Sequence, residues 1–236
     1  MFIMTDMCSF WRTIDPGTLR AIGLVCLADA IVGASFGALA VSGGLDPWLP
    51  VAMSVLIFGG GAQFAAVGVV LAGGGALAAV AAGLVLNARL LPFGFAVADA
   101  AGRSWRTRLP GAHLITDETV AFTMRHRDPR LRRAVFWTCG LALFACWNVA
   151  VAVGALAGRI VGDTGAIGLD AAFPAVLLAL VLPSLTDRRL RGAALSGAAV
   201  AVATTPFLPP GLPVLLALTG LLLPGTGRGG PAEEAR

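Results

Sequence analysis

The sequence predicts an all-α polytopic membrane protein of about seven transmembrane helices, arranged as a 3+3 inverted repeat plus one helix. Three observations predict it. The chain is 57% hydrophobic and only 13% charged over 236 residues, with a mean hydropathy of +0.85; a soluble domain carries about 25% charged residues. Apolar blocks run at 21–41, 48–72, 76–101, 134–158, 171–186, 192–208 and 210–224, against the roughly 20 residues needed to span a bilayer. Short motifs also recur at near-constant offsets along the chain.

The elements follow in order. Residues 1–20 form an N-terminal segment in which no cleavable signal peptide is expected, since it holds Asp6, Arg12, Asp15 and Arg20 and the apolar run beyond is long enough to stay in the bilayer. Residues 21–101 form the first membrane repeat, 102–133 an Arg-rich cytoplasmic segment, and 134–208 the second repeat. A last transmembrane helix occupies 209–226 and a tail 227–236. The basic charge is all arginine, and eight of these residues lie between Arg103 and Arg133. By the positive-inside rule that segment is cytoplasmic, which with seven full spans puts the N-terminus outside. The competing arrangement keeps Arg12 and Arg20 inside by making 48–72 re-entrant; seven full spans is the preferred reading.

The repeat pairs Gly44-Leu45-Asp46 and Pro50-Val51-Ala52 with Gly168-Leu169-Asp170 and Pro174-Ala175-Val176, and Gly33 and Gly37 with Gly154 and Gly158. Small-xxx-small spacing suits close helix packing in lipid. Three spans per unit make the second copy enter from the opposite side, as in many secondary transporters with midplane sites on interrupted helices. In this register Gly59-Gly60-Gly61 corresponds to Pro183-Ser184-Leu185, one copy broken by glycine and the other by proline.

Polar residues inside apolar blocks mark the candidate site, because each is costly in lipid. The run Leu56–Phe64 joins the glycine triplet to Gln63, which serves either as an interhelical hydrogen bond or as a substrate contact. Asn87 and Arg89 stand mid-block in the third segment, on opposite sides of a regular helix unless it loosens near Pro92. Arg89 needs a partner: Asp29 or Asp99 in a structural pair, or the acidic pair Asp117 and Glu118 dipping toward a cavity. On local grounds Thr116 reads as the cap of a short helix carrying both acids. Trp147 and Asn148, mid-span in the fourth block, line the same cavity or pack between helices. The candidate substrate-binding set is therefore Gly59, Gly60, Gly61, Gln63, Asn87 and Arg89, with Asp117, Glu118, Trp147 and Asn148 as candidate coupling or gating positions. No catalytic or metal site is expected: the cysteines form no CxxC pair and the histidines sit apart.

Gly33-Ala34-Ser35-Phe36-Gly37, Leu56 to Phe64 with its Gly-Ala-Gln-Phe ending, Asn87-Ala88-Arg89, Thr116-Asp117-Glu118 and Trp147 appear in this order over about residues 20–225. Together they resemble the AzlC family, the large subunits of bacterial branched-chain amino acid exporters. The resemblance implies export of Leu, Ile and Val, with Met as a further candidate, across the bacterial cytoplasmic membrane. It also implies a small hydrophobic AzlD-like partner subunit. The chain departs from the family pattern at Leu90, often His, and at Leu27–Val32, usually Pro-bearing. No P-loop is present, so an ion gradient is the expected energy source, with no cofactor. Membrane lipid is an expected contact, nucleic acid is not. A non-transporting scaffold subunit is the alternative, and an intramembrane lipid-modifying enzyme is disfavoured by the lack of paired acids or a metal cluster at membrane depth.

Overall fold

The computed structural model describes residues 14–102, 104–161, 178, 182–208 and 212–222, and every element in it is helical. The copy Gly168-Leu169-Asp170, Pro174-Ala175-Val176 and the C-terminal tail lie outside the described residues. Three helical stretches are long and apolar enough to cross a membrane: Pro16–Ser42, Ala76–Ala96 and Pro129–Ile160. Shorter apolar helices accompany them, and seven spans are not seen. The chain divides into two compact units, residues 1–64 with 84–169, and residues 65–83 with 170–236.

In the first unit, α1 (Pro16–Ser42) starts where Asp15 accepts a hydrogen bond from the Thr18 amide, with proline in the first turn. It ends at Gly43, and Gly44 turns the chain with φ +100°. Helices α2 (Trp48–Leu56) and α3 (Gly60–Leu71) replace the single span expected over 48–72. The break falls at Ile57–Gly59, and Gly60 and Gly61 already belong to the second helix. The 76–101 block is likewise divided, into α4 (Ala76–Asn87), α5 (Leu90–Ala96) and α6 (Ala98–Ala101). The Arg-rich segment holds two short helices, α7 (Trp105–His113) and α8 (Asp117–Met124). Helix α9 (Pro129–Val161) follows, 33 residues or roughly 50 Å long.

Helix α9 is the support for the unit, and α1 lies along it. The Gly37 β position would run into the Val151 carbonyl oxygen, and that of Gly154 into the Ala34 carbonyl oxygen. The Gly158 position meets the Ala38 oxygen at 2.7 Å, and that of Gly33 meets Trp147 at 3.3 Å. These are the glycines singled out by the repeat, and they let two backbones touch. Their partners rise together along both helices: 33 with 147–150, 37 with 151–155, 38 with 158. Helices α1 and α9 are therefore parallel.

This direction corrects the expected topology. Two full spans between these helices, at 48–72 and 76–101, would make α1 and α9 antiparallel, as would an inverted relation between their Gly-xxx-Gly turns. A parallel pair needs an odd number of crossings between them. The broken 48–64 stretch accounts for it by turning back on itself. Gln63 Nε2 donates to the Ile57 and Met53 carbonyls at 2.6 and 3.4 Å, so α3 begins beside α2 as the return arm of a hairpin.

Helices α7 and α8 make a second hairpin on α9. Near its base, Arg132 holds Asp99 through two hydrogen bonds of 2.9 and 3.0 Å and also caps the Ala96 carbonyl. Val97, Ala100, Ile115, Val120 and Phe136 form the apolar core beside it. The tip reaches up the helix, where Leu114 lies against Gly140 and the His113 ring packs on Phe144.

The second unit holds a small cluster of Val69, Ala79 and Ala82. It also contains a 3-10 segment Leu182–Thr186, α10 (Arg188–Thr204), α11 (Leu212–Leu216) and a 3-10 turn Ala217–Leu222. Pro183 thus falls on backbone that is not α-helical, as its place in the repeat suggested. Gly197 and Gly220 give close contact within this unit, against the Ala217 and Ala193 carbonyls.

Two outcomes follow. Gly154→Val forces a side chain into the α1 backbone and should lower thermal stability in detergent by about 1–3 kcal/mol or more. Gly23→Ala meets nothing within 4 Å and should leave it equal or higher; melting curves of the two variants check this. The hydrogen bonds from Arg132 hold the Asp99 carboxyl below its usual range. Such a group contributes above its ordinary pKa and loses that contribution as pH falls through the lowered value. Because Asp99 is half exposed, the acid-side loss in a pH-stability profile should be small, and Asp99→Asn should remove it.

Candidate functional site

Two helix breaks and one hairpin tip meet in the first unit. The first break, Ile57–Gly59, lies beside the second, Ala88–Arg89. A β carbon on Gly59 would stand 3.0 Å from Asn87 Oδ1, and one on Gly61 would stand 3.8 Å from an Arg89 Nη. Glycine at these positions brings one backbone up to the polar side chains of the other. The loosening of the third block near Pro92 thus occurs at 88–89, which lets Asn87 and Arg89 approach the same partner although they are two residues apart.

The third part is the start of α8. Thr116 and Thr119 form a reciprocal capping box at its N-terminus, as Thr116 was expected to do. Asp117 and Glu118 occupy the first turn, where the helix dipole favours negative charge. Asp117 Oδ2 pairs with Arg89 Nη2 at 3.0 Å, both side chains being accessible, at 41% and 57%. The partner of Arg89 is therefore Asp117. It is neither Asp99, which Arg132 holds, nor Asp29. The other oxygen of the same carboxylate, Asp117 Oδ1, is buried without a hydrogen-bond partner. Asn87 has no hydrogen-bond partner among the described residues, and Glu118 follows Asp117 in the first turn of α8.

The other predicted residues are placed differently. Gln63 is wholly buried. Its amide donates to the hairpin carbonyls, and its oxygen accepts from Trp147 Nε1 at 3.0 Å. Gln63 and Trp147 therefore fix the tip of the first hairpin to α9. Gly60 lies against the same indole, its β position 2.8 Å from the ring. Asn148 is occupied too, accepting from Ser54 at 2.7 Å and donating to the Phe144 carbonyl at 2.8 Å. Of the ten sequence-selected residues, Gly59, Gly61, Asn87, Arg89 and Asp117 come together as a reachable polar cluster. Gly60, Gln63, Trp147 and Asn148 hold the frame, and Glu118 stands beside the cluster.

Sequence reasoning missed Ser54 and His113. Ser54 is a small polar residue of the kind common in membrane helices, and nothing local marks it. His113 Nε2 lies 2.9 Å from the Val55 carbonyl oxygen, which joins the two hairpins. Its signal was the apolar run Leu109-Pro110-Gly111-Ala112-His113-Leu114-Ile115 inside a segment otherwise read as a charged loop. An apolar groove of about 500 Å³ between α1 and α9, lined by residues including Ile22, Cys26, Thr138 and Cys146, contains no charged group and is unsuited to an amino acid zwitterion.

Membrane-length helices, interrupted helices and an ionic cluster at the interruptions define a multi-pass membrane protein built on transporter lines. A family model described as AzlC protein matches residues 24–161, more than half of the chain, and the chain belongs to the AzlC family. This is a transporter family, generally non-enzymatic, associated with branched-chain amino acid export. Neither a curated protein nor a solved structure matches the chain.

The frame and the cluster should separate experimentally. Gln63→Leu strands the Trp147 indole N–H and the Ile57 carbonyl, so it should cost about 1–3 kcal/mol of stability. Trp147→Phe should cost less than a full truncation, since the ring remains. Arg89→Ala should leave the melting temperature in detergent within a few degrees, because exposed ion pairs contribute only about 0–1 kcal/mol.

Proposed function

We propose that this chain is the large subunit of a secondary exporter carrying Leu, Ile, Val and Met outward across a bacterial cytoplasmic membrane. The observation that carries the reading is the unpartnered Asp117 Oδ1 beside the Arg89 guanidinium. An amino acid zwitterion supplies what this pair lacks. Its carboxylate takes the Arg89 guanidinium in a charge-assisted pair, and its ammonium donates to the Asp117 carboxylate, whose buried Oδ1 is uncovered as the Arg89–Asp117 pair parts. The Asn87 amide, without a hydrogen-bond partner among the described residues, adds a donor or an acceptor, and Gly59 and Gly61 let their backbone come up to Asn87 and Arg89.

The substrate carboxylate competes with Asp117 for Arg89, so binding loosens the contact between the second break and the second hairpin. That is a differential interaction of the kind a ligand needs to shift a conformational equilibrium. An ion gradient supplies the energy, and a small hydrophobic AzlD-like subunit completes the transporter.

The topology that goes with this reading has a cytoplasmic N-terminus. Helices α1 and α9 start at the same end. Arg20 lies at the start of the first, and Arg125, Arg127, Arg130, Arg132 and Arg133 lie around the start of the second. The positive-inside rule favours that end as cytoplasmic.

Counterflow of labelled leucine into vesicles containing the chain and its small partner tests the reading. Arg89→Ala and Asp117→Asn should each weaken apparent leucine affinity about 10–100-fold, as loss of a charged hydrogen bond implies. Arg89→Lys should recover part of it, because a point charge replaces a fork. Wild-type counterflow no greater than that of empty vesicles, or full counterflow in Arg89→Ala, would overturn it and favour a scaffold.

A further inference from the structure

The two hairpins stand on α9 from opposite ends. The first begins at the turn after Ser42, beside the C-terminal end of α9, where Gly158 meets Ala38. It descends through Ser54, bonded to Asn148, and turns back at Ile57–Gly59. The second begins at Ser104, after Gly102, which lies within reach of Arg133 near the N-terminal end. It rises past Gly140 and turns at Leu114–Thr116. Neither arm is long enough to span a bilayer: α2 and α7 have nine residues each, about 14 Å. Their tips touch partway along α9 between Gly140 and Asn148, where the Phe58, His113 and Phe144 rings pack tilted and edge-on against one another and His113 bonds the Val55 carbonyl.

We propose that these are two re-entrant hairpins entering the membrane from opposite faces, and that His113 is the gating residue that latches their tips together. The first hairpin enters from the outer face and the second from the cytoplasmic face. Non-helical backbone at membrane depth is tolerated where protein satisfies its polar groups; Gln63 takes the Ile57 carbonyl in the first turn, and the Thr116–Thr119 capping box serves the second. His113 and Asp117, the partner of Arg89, lie on the same hairpin, four residues apart in sequence. Moving the second hairpin therefore parts His113 from Val55 and Asp117 from Arg89 in one motion. That opens the polar cluster toward the cytoplasm while Gln63, Trp147, Ser54 and Asn148 keep the first hairpin fixed to α9. A gate follows from this difference: side-chain hydrogen bonds tie the first hairpin to α9, whereas the polar contacts of the second hairpin's tip, the His113 bond and the Arg89–Asp117 pair, go to the first hairpin and the second helix break, and apolar packing joins it to α9.

The proposal rests on the transporter reading for its purpose, but its test needs no substrate, so the two fail separately. In a background with Cys8, Cys26, Cys139 and Cys146 replaced by serine or alanine, single cysteines are placed at Asp46, Asp128 and Ile57. A membrane-impermeant thiol reagent is then applied to right-side-out and inside-out vesicles, together with a tag at residue 2. The tag and Asp128→Cys should be reached only from the cytoplasmic side, and Asp46→Cys only from the outer side. Ile57→Cys, at the latch, should react faster from outside. Adding His113→Ala should raise its rate from the cytoplasmic side about tenfold, the shift expected when a two-state element loses one hydrogen bond. His113→Gln, which keeps a donor, should restore the wild-type rate and shows that loss of fold is not the cause. An outer tag, Asp46→Cys and Asp128→Cys on the same side, or an Ile57→Cys rate unmoved by His113→Ala would overturn the proposal.

Discussion

The first unit depends on one constraint, the parallel contact of α1 with α9 at backbone distance. In lipid no hydrophobic drive pushes helices together, so close association comes from packing and hydrogen bonding. Gly33, Gly37, Gly154 and Gly158 remove the atoms that would hold the backbones apart, and dispersion between two long helices does the rest. Once that contact forms, the direction of both helices is set, and so is the sense in which everything between them must run. The chain from Gly43 to Asp128 has to leave one end of the pair and return to the other. It does so with one long interrupted helix and two hairpins that each stop partway.

The polar residues then divide according to what α9 offers them. Where a side chain faces α9 it finds a fixed partner, as Gln63 does with Trp147 and Ser54 with Asn148. A buried polar group without such a partner costs roughly 1–3 kcal/mol, so these bonds hold the hairpin in one register. Where side chains face each other across the helix breaks, satisfaction is incomplete. Arg89 and Asp117 remain accessible, Asp117 Oδ1 has no partner, and Asn87 is unbonded. Rigid support and an unsatisfied cluster are complementary requirements. A ligand can replace the missing partners only if the frame around them holds its position.

Much of this was legible in the sequence, and the rest was not for identifiable reasons. An interruption near the glycine triplet was visible because glycines inside an apolar run have few other uses, although it falls at Ile57–Gly59, and Thr116-Asp117-Glu118 was visible because capping chemistry is local. That Arg89 needed a partner followed from the cost of a charge in lipid. Which acid supplied it did not, because Asp29, Asp99 and Asp117 are equally plausible until the chain is folded. Gln63 was legible as important, and its two roles were not separable, since the same amide can bind a ligand or a helix. The segment 102–133 was read from its arginines, which dominate its composition. The apolar Leu109–Ile115 run between them, which brings Leu114 against Gly140 of α9, carried no such signal.

Composition and block length by themselves determined that this is a helical membrane protein. Short collinear motifs determined its family, and the cost of polar atoms in lipid singled out the polar residues inside the apolar blocks. Direction belonged to the tertiary structure. A hydropathy profile measures length and cannot distinguish a span from a hairpin, because both bury the same apolar residues. Only the glycine contacts between α1 and α9, which join residues more than a hundred positions apart, decide that the two helices run the same way and that the stretches between them turn back.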